Sequence, residues 1–278
     1  MLRAKVRCQF MFNSKLSRKQ RPLWQNTFYL CYKVVLLWLT LISAAQAANS
    51  VSILCYHRFG ETVADSMTTR TTVFEQQLAT LKQEGYSFIS LNDAIEGLRG
   101  NKPLAAKSVV ITVDDGHKTV YSDLLPIIRR DHLPVTLFIY PSAISNASYA
   151  MTWEQLHELA ETPGVDIQAH TYWHPNFKVE KKRLSPEDYQ KFVETQLTKS
   201  RSQLKKKLGV DATYMAWPFG IYDDELKAYA SKAGYSVALA LDGRNATTKD
   251  SLLSLPRYLI VDANGVKGLS NLLKEGEK

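Results

Sequence analysis

Apolar and polar positions divide the chain, from residue 50 onward, into alternating strand-like and helix-like segments. The strand-like segments are short and almost entirely apolar, as in residues 108–113 (SVVITV). The helix-like segments space apolar residues three or four apart, as Phe74, Leu78 and Leu81 do. Strands without polar alternation are typical of parallel sheets that helices cover. The repeated pattern predicts an α/β fold, either a barrel or a doubly wound sheet.

The helix boundaries carry clear signals. Gly85 suits the end of the helix that contains Phe74. Ser185 and Pro186 open the longest helix-like segment as N-cap and first helical residue, and acidic residues follow them directly. Between these segments there is no Pro-, Gly- or Ser-rich linker, no repeat and no low-complexity tract. We therefore expect one domain over residues 48–278.

The first 47 residues have the pattern of a secretory signal. A basic leader precedes the apolar run Val34–Ser43, and Ala45 and Ala47 then offer a small-x-small cleavage site. The apolar run is shorter than the ~20 residues that comfortably span a bilayer. We expect export to the periplasm or the extracellular space, with an uncleaved membrane anchor as the alternative.

The net charge of +8 is confined to this leader. Of the 35 basic residues, eight lie in residues 1–47, where there is no acidic residue, so 27 basic residues balance 27 acidic ones in the remainder. A neutral body leaves no electrostatic footprint for nucleic acid. We therefore expect no nucleic-acid partner, contact with a membrane only through the N-terminal segment, and a monomer.

Polar residues collect where the predicted strands end. These residues are His57, Asp114, Asp115, His170, His174 and the stretch 217–220 (WPFG). Because the carboxyl ends of parallel strands meet at one edge of the sheet, we expect these side chains to converge. Asp114 and Asp115 are adjacent like charges, which cost free energy unless a cation, a proton or a hydrogen-bond donor offsets them.

A divalent metal ion would supply that offset. If the segment after the strand turns helically, His170 and His174 point the same way and can share a cation. Two imidazoles and one carboxylate leave an open position for water, as catalytic zinc requires. The second carboxylate is then free to accept a proton. Taken singly, an Asp pair before glycine is commonly a turn, and an HxxxH pair is commonly two surface imidazoles; their shared rim position favours the metal site.

The remaining candidate residues have simpler interpretations. Cys55 is the only cysteine after the leader, so that part of the chain has no intrachain disulfide, and we expect a small buried hydrophobic residue. His132 and His157 fall in helical contexts, and His117 lies in a loop near the site without an assigned role.

TVDDG at residues 112–116 and HTYWHP at residues 170–175 resemble the motifs of the polysaccharide deacetylase family, carbohydrate esterase family four, whose core is the NodB homology domain. The resemblance covers roughly residues 51–260. It implies a distorted (β/α) barrel and the metal-dependent removal of acetyl groups from N-acetylated sugars. It also implies that Asp114 is the catalytic base and that Asp115, His170 and His174 bind the metal.

Two departures from the family pattern point to one branch. Ala216 stands where the family has an arginine that orients the base, and no histidine follows His174 to act as general acid. The poly-β-1,6-N-acetylglucosamine deacetylases of biofilms resemble this chain in these losses, and in YHRF, WPFG, GRN and LPR stretches. The resemblance suggests His57 as proton donor or transition-state stabiliser, and Arg257 as the residue that holds Asp114.

The sequence therefore predicts a zinc-dependent hydrolase, with cobalt or nickel as alternative metals, that removes N-acetyl groups from N-acetylglucosamine polymers. We expect Trp217, Phe219 and Tyr172 to offer faces for sugar rings, although each is also a candidate core residue. Three alternatives remain open: an O-acetyl esterase, a deacetylase of peptidoglycan or chitin oligomers, and a non-enzymatic sugar-binding factor of polysaccharide export.

Overall fold

We describe residues 49–276 of a computed structural model of the protein. The signal segment predicted at residues 1–47 lies outside this range. Among the described residues, no helix combines the length and the hydropathy needed to cross a bilayer.

Short strands and longer helices alternate along the described chain. The strands are β1 (Ser50–Tyr56), β2 (Arg58–Gly60), β3 (Thr68–Arg70), β4 (Ser87–Phe88), β5 (Ser108–Asp114), β6 (Val135–Ile139), β7 (Val165–Ala169), β8 (Tyr214–Ala216), β9 (Val237–Leu239), β10 (Ala246–Thr247) and β11 (Tyr258–Leu259). The α-helices are α1 (Thr71–Gln83), α2 (Leu91–Leu98), α3 (Leu125–Asp131), α4 (Trp153–Ala160), α5 (Phe177–Arg183), α6 (Pro186–Leu208), α7 (Asp224–Lys232) and α8 (Gly265–Gly276). A π-helical turn, Val120–Leu124, leads into α3.

The main sheet runs in the order β10-β1-β5-β6-β7-β8-β9, with β11 also paired to β1 and β4 to β5. Every pairing in this sheet is parallel except that of β1 with β10. Strands β2 and β3 form a separate parallel pair. The parallel, helix-covered sheet that the apolar strand pattern predicts is therefore present.

The segment that contains β11 joins the two edges of this sheet. Leu255 forms a parallel bridge with Leu239 of β9, and β11 then pairs with Leu54 and Cys55 of β1. The sheet thus curls round until its first and last strands are linked. This closed, irregular arrangement is the predicted distorted (β/α) barrel.

Strand β5 contributes to two separate cores, because successive residues of a strand point to opposite faces. Val109, Ile111 and Val113 pack in the large cluster shared with the helices, whereas Val110 packs in a smaller cluster with residues such as Ile53 and Phe138. Asp114 falls on the same face as Val110. The strand therefore carries a carboxylate into the barrel interior at the end of an otherwise apolar face.

The predicted caps of α6 are confirmed. Ser185 accepts a hydrogen bond from the backbone N–H of Asp188 at 3.2 Å, and Pro186 occupies the first helical position. Gly209 ends the helix in a left-handed conformation, at φ 72°. Gly85, at φ 86°, follows α1 in the same way. These local signals fix where the helices that cover the sheet begin and end.

Candidate active site

A cavity of about 570 Å³ opens at the carboxyl ends of the parallel strands. Its walls are formed by His57, Arg58, Met67, Asp114, Asp115, Tyr140, Tyr149, His170, His174, Phe219, Leu241 and Leu259. His57 follows β1, Asp114 ends β5, Tyr140 follows β6 and His170 follows β7. The convergence expected from the strand pattern therefore brings five of the predicted rim residues, and Phe219, into one cavity.

Asp115, His170 and His174 form a cluster with the spacing of a metal site. The Oδ1 atom of Asp115 lies 3.7 Å from Nε2 of His170 and 3.7 Å from Nε2 of His174. Ligands bound tetrahedrally to zinc at 2.0–2.1 Å lie roughly 3.4 Å apart. Oδ1 of Asp115 is buried and has no hydrogen-bond partner. A buried carboxylate oxygen that faces two imidazole nitrogens fits a divalent cation in donor set and in spacing.

The backbone brings the two histidines together without a helix. Residues 170–175 form an irregular loop, in which Thr171 and His174 have left-handed φ values of 61° and 62°. The imidazole rings meet edge to face, with centroids 4.6 Å apart. The helical turn that was one way to bring the two histidines together is absent, and the irregular loop brings both to the same place. Asp115 is also left-handed, at φ 77°; non-glycine residues held in this region are strained and concentrate at functional sites.

The orientation of His170 is set by a backbone carbonyl. Nδ1 of His170 lies 2.8 Å from the carbonyl oxygen of Ala216. Because a carbonyl only accepts, Nδ1 carries the proton and Nε2 keeps its lone pair. Burial lowers the pKa of His170 to about 3 and also lowers the pKa of His174. Both rings are thus held neutral, the form in which imidazole binds a metal.

Asp114 is bound on its other side by Arg257. The guanidinium donates two hydrogen bonds to the carboxylate, from Nη1 to Oδ1 at 2.8 Å and from Nη2 to Oδ2 at 2.7 Å. Arg257 also donates to Thr112 and to the carbonyl oxygen of Ala240, and it has no exposed surface. It sits in the segment that closes the barrel between β9 and β11. The segment that closes the barrel therefore supplies the guanidinium charge that a buried, ionised Asp114 requires.

The two neighbouring carboxyl groups have opposite pKa shifts. Burial would raise the pKa of Asp114, but the charge of Arg257 and the hydrogen bonds from its guanidinium hold that pKa well below its ordinary value. For Asp115, burial and the negative charge of Asp114 raise the pKa, against the lowering effect of His57. Asp115 is thus the carboxylate that lacks sufficient positive charge from the protein, and a cation at the cluster would supply it.

His57 and Cys55 complete the surroundings of Asp114. Ligand atoms of Cys55, His57 and Asp114 all lie within 4.8 Å of one another. The Cys55 thiol donates to Oδ2 of Asp114 at 3.4 Å and is fully buried. His57 is half-buried in the cavity wall, and its Nδ1 has no hydrogen-bond partner. Cys55 is therefore the small buried residue predicted, with an additional polar contact to Asp114.

The three predicted sugar-binding aromatic residues lie in three different environments. Phe219 lines the cavity, is 58% exposed and packs edge to face on His174, with ring centroids 4.6 Å apart. Trp217 is fully buried and donates its indole N–H to the carbonyl oxygen of Leu253. The structure thus contradicts a sugar contact for Trp217, because no part of it reaches solvent. Tyr172 lines a separate groove beside α6.

Sequence reasoning missed three polar residues of the cavity wall. The hydroxyl groups of Tyr140 and Tyr149 lie 2.7 Å apart, and Arg58 forms an ion pair with Asp65. Tyr140 directly follows β6, so the rule that located the other rim residues also applies to it. Arg58 begins β2 and Tyr149 lies in a loop, so the rule of carboxyl strand ends does not locate them.

The other three histidines lie away from the metal cluster. His132 is the exposed, left-handed residue that ends α3, and His157 on α4 pairs with Glu161 at 3.4 Å. His117 packs parallel to Tyr149, and its Nδ1 lies 2.9 Å from the Thr119 hydroxyl. Its ring is therefore engaged beside the cavity.

Comparisons of this chain with a family model, with relatives and with solved structures point to the same family. A model of the polysaccharide deacetylase family matches residues 101–238. This range contains Asp114, Asp115, His170 and His174, whereas His57 and Arg257 lie on either side of it.

The chain is also similar to proteins named poly-β-1,6-N-acetyl-D-glucosamine N-deacetylase. It is 25% identical to that of Escherichia coli K12 over 259 residues, which cover 79% of this chain and 38% of the relative. It is 27% identical to that of Staphylococcus epidermidis over 192 residues, 67% of this chain and 66% of the relative. The chain thus spans less than two fifths of the Escherichia coli protein.

Solved structures share the fold. The Streptococcus pyogenes deacetylase PplD, determined in complex with acetate, matches with a TM-score of 0.69 at 26% identity, over 80% of this chain and 97% of that one. IcaB from Ammonifex degensii matches with a TM-score of 0.70 at 24% identity, over 81% and 97%. The family model, the relatives and the barrel agree with the clustered Asp and His residues: the chain belongs to the polysaccharide deacetylase family.

Proposed function

We propose that this protein is a metal-dependent deacetylase that hydrolyses the N-acetyl groups of an N-acetylglucosamine polymer. The observation that carries the proposal is the position of Asp114. Its Oδ2 lies 3.8 Å from Nε2 of His170, so a carboxylate that Arg257 keeps ionised borders the cluster of Asp115, His170 and His174. A protein that only binds sugars has no need of a base at this point.

The residues divide the chemistry between them. Asp115, His170 and His174 would hold a divalent cation, which acts as a Lewis acid on a carbonyl oxygen and lowers the pKa of water. Asp114 accepts the proton of the water that attacks the acetyl carbonyl. Arg257 keeps Asp114 in its anionic form and fixes the direction of its oxygens. General-base catalysis requires this positioning before it requires a matched pKa.

His57 supplies the proton that the departing amine needs. It lies on the Cys55 side of Asp114, in the same cavity wall. An imidazolium that gives one N–H proton to the amine is left as neutral imidazole. Nδ1 of His57 has no hydrogen-bond partner in the protein, so it is available for this transfer. An amine leaves poorly unless it is protonated, whereas an alkoxide from an ester leaves more easily. A proton donor in this place therefore favours amide over ester hydrolysis.

The cavity walls suit a sugar ring. Arg58, Tyr140 and Tyr149 offer hydrogen-bonding groups, while Phe219 and Leu259 are exposed apolar residues that face the same space. A pyranose combines a rim of hydroxyl groups with apolar C–H faces, so walls of both kinds are complementary to it. The polymer named for the relatives, poly-β-1,6-N-acetylglucosamine, is the substrate that we propose.

The proposed metal ligands and the N-terminal leader support two further parts of the proposal, the identity of the metal and the export of the protein. Two imidazoles and one carboxylate favour zinc, with cobalt and nickel as alternatives. The pattern of residues 1–47 favours export to the periplasm or the extracellular space, with cleavage of the leader. We propose that the catalytic domain comprises residues 48–278, acts as a monomer on an acetylated glycan and contributes to biofilm polysaccharide.

The test is a product assay on a panel of acetylated glycans. The panel contains β-1,6-linked and β-1,4-linked N-acetylglucosamine oligomers, peptidoglycan and O-acetylated xylan, and each reaction is analysed for acetate and for free amine. We expect equal amounts of acetate and new amine from the β-1,6-linked oligomer. Acetate without amine would identify an esterase, and acetate from none of the glycans would contradict the proposal.

A further inference from the structure

The loop that carries the two candidate metal-binding histidines also lines a second groove. His170 and His174 face the cavity, whereas Tyr172 and Trp173, which lie between them in the chain, face a surface groove of about 400 Å³ beside α6. Trp173 is 42% exposed, unlike the buried Trp217. The cavity and the groove are therefore the two sides of one short loop.

Contacts with α6 hold the loop in this position. The backbone N–H of Trp173 donates to Oε1 of Gln196 at 3.0 Å. The Trp173 indole packs edge to face on Phe192, with ring centroids 5.7 Å apart. An exposed indole fixed in this way loses little conformational entropy when a ligand packs on it. We call this surface, defined by Tyr172, Trp173, Phe192 and Lys199, the Trp173 groove.

Lys199 brings to the groove a positive charge that has no ion-pair partner among residues 49–276. The Nζ atom of Lys199 lies 4.0 Å from the centroid of the Tyr172 ring, and within residues 49–276 it forms no ion pair with an acidic side chain. Arg183 and Lys191 also line the groove, but each is paired with a glutamate. The one acidic lining residue, Asp188, accepts a hydrogen bond from Ser185 in the first turn of α6, where the helix dipole favours its charge.

We propose that the Trp173 groove is a second glycan-binding subsite, which prefers acetylated stretches of the polymer while another unit reacts in the cavity. This inference rests on the proposed function. An N-acetylglucosamine unit is uncharged and can pack its C–H face on Trp173. A deacetylated unit carries an ammonium group, which the ammonium of Lys199 repels. The groove therefore directs the enzyme toward polymer that still has acetyl groups and away from its own product.

Two variants and two substrate lengths test the subsite. Trp173→Ala should lower kcat/KM by about tenfold for a long acetylated β-1,6-linked oligomer, the scale of one lost aromatic contact. A displacement of the loop that carries His170 and His174 would lower kcat/KM equally for the acetylated disaccharide, which fills only the cavity. The subsite therefore predicts a clearly larger loss on the long oligomer than on the disaccharide. Lys199→Glu should reduce the preference of the enzyme for fully acetylated over partially deacetylated long oligomers. Lys206→Glu, the same charge change at an exposed position of α6, is the control and should keep that preference.

Calorimetric binding of the long acetylated oligomer gives a readout that does not depend on turnover. Wild-type protein should bind it about tenfold more tightly than Trp173→Ala does, provided that the two proteins unfold at the same temperature. Equal affinity, or an equal loss of kcat/KM on both substrate lengths, would overturn the subsite. If the wild type binds through Trp173 but releases no acetate, the subsite stands and the proposed deacetylase activity fails. If Trp173→Ala does not fold, Lys199→Glu decides by the same binding measurement with partially deacetylated oligomer, and an unchanged affinity rejects the proposal.

Discussion

Arg257 and Asp114 form a two-point ion pair inside the barrel, with nitrogen–oxygen distances of 2.8 and 2.7 Å and side chains that are 0% and 2% exposed. Such a buried pair costs desolvation free energy and is retained only when its geometry is good. Here Arg257 lies in the segment that closes the sheet, and Asp114 ends the central strand β5. The pair therefore links the closure of the barrel to the position of the proposed base.

Replacement of Arg257 should separate these two effects. Arg257→Ala leaves a buried carboxylate without its cation, and we expect the free energy of unfolding to fall by about 3–5 kcal/mol. Arg257→Lys keeps the charge but not the two-point contact, so we expect a folded protein whose turnover is lower by on the order of 10- to 100-fold. Thermal unfolding and acetate release measure the two quantities.

Arg70 provides the matched control for Arg257. It binds both carboxylate oxygens of Asp262, but at the protein surface. Exposed ion pairs contribute little to stability, so Arg70→Lys should leave both the unfolding temperature and the turnover close to wild type. Equal effects of Arg257→Lys and Arg70→Lys would mean that Arg257 does not position the base.

His57 and His117 should differ in their importance for catalysis. His57→Ala should lower the deacetylation rate by roughly 10²-fold or more, the usual scale for loss of a general acid, with folding and metal content intact. His117→Ala should have a much smaller effect, because its ring does not line the cavity and already contacts Thr119 and Tyr149. Steady-state kinetics of both variants on one oligomer decides between them, and a larger loss for His117→Ala would reverse the assignment.

Activity should depend on one divalent cation per chain. Chelation should abolish acetate release, and added zinc should restore it, because the ligand set of Asp115 and two histidines favours this metal. Elemental analysis before and after chelation gives the stoichiometry. Turnover that persists in protein free of metal would reject the metal site, and restoration by cobalt or nickel alone would reject zinc.

The strand pattern predicted much of this site because a residue's place at the edge of the sheet follows from where its strand ends. Parallel strands present their carboxyl ends at one edge of the sheet, so His57, Asp114 and His170 could be placed together without knowledge of the fold. The local geometry of the loops could not be predicted in this way. His170 and His174 meet through left-handed residues in an irregular loop, whereas their spacing suggested a helical turn.

Side-chain environments set a second limit to prediction. Trp217 and Phe219 stand two residues apart after β8, yet Trp217 is buried and Phe219 is 58% exposed. Trp217 is buried because its ring packs against Phe177 and its indole N–H donates to the carbonyl oxygen of Leu253. These contacts with distant segments cannot be read from the local sequence. Strands of two residues, such as β4 and β10, are also too short for any periodicity. The pairing of Arg257 with Asp114, 143 residues apart, was accessible only through the family resemblance.

Export should leave a mature N-terminus near Ala48, since Ala45 and Ala47 form the only well-placed small-x-small site after the apolar run. Intact mass of the exported protein measures the cleavage position. A protein that retains residues 34–43 would instead be a tethered enzyme.

The most direct measurement of the central claim compares metal content and acetate release in Asp114→Asn and Asp115→Asn. An amide cannot act as the base, so Asp114→Asn should keep one metal ion per chain and lose nearly all turnover. An amide is also a poor zinc ligand, so Asp115→Asn should lose metal affinity, and excess zinc should restore part of its activity. Identical metal content together with identical residual rates in the two variants would contradict the division of labour between these neighbouring carboxylates.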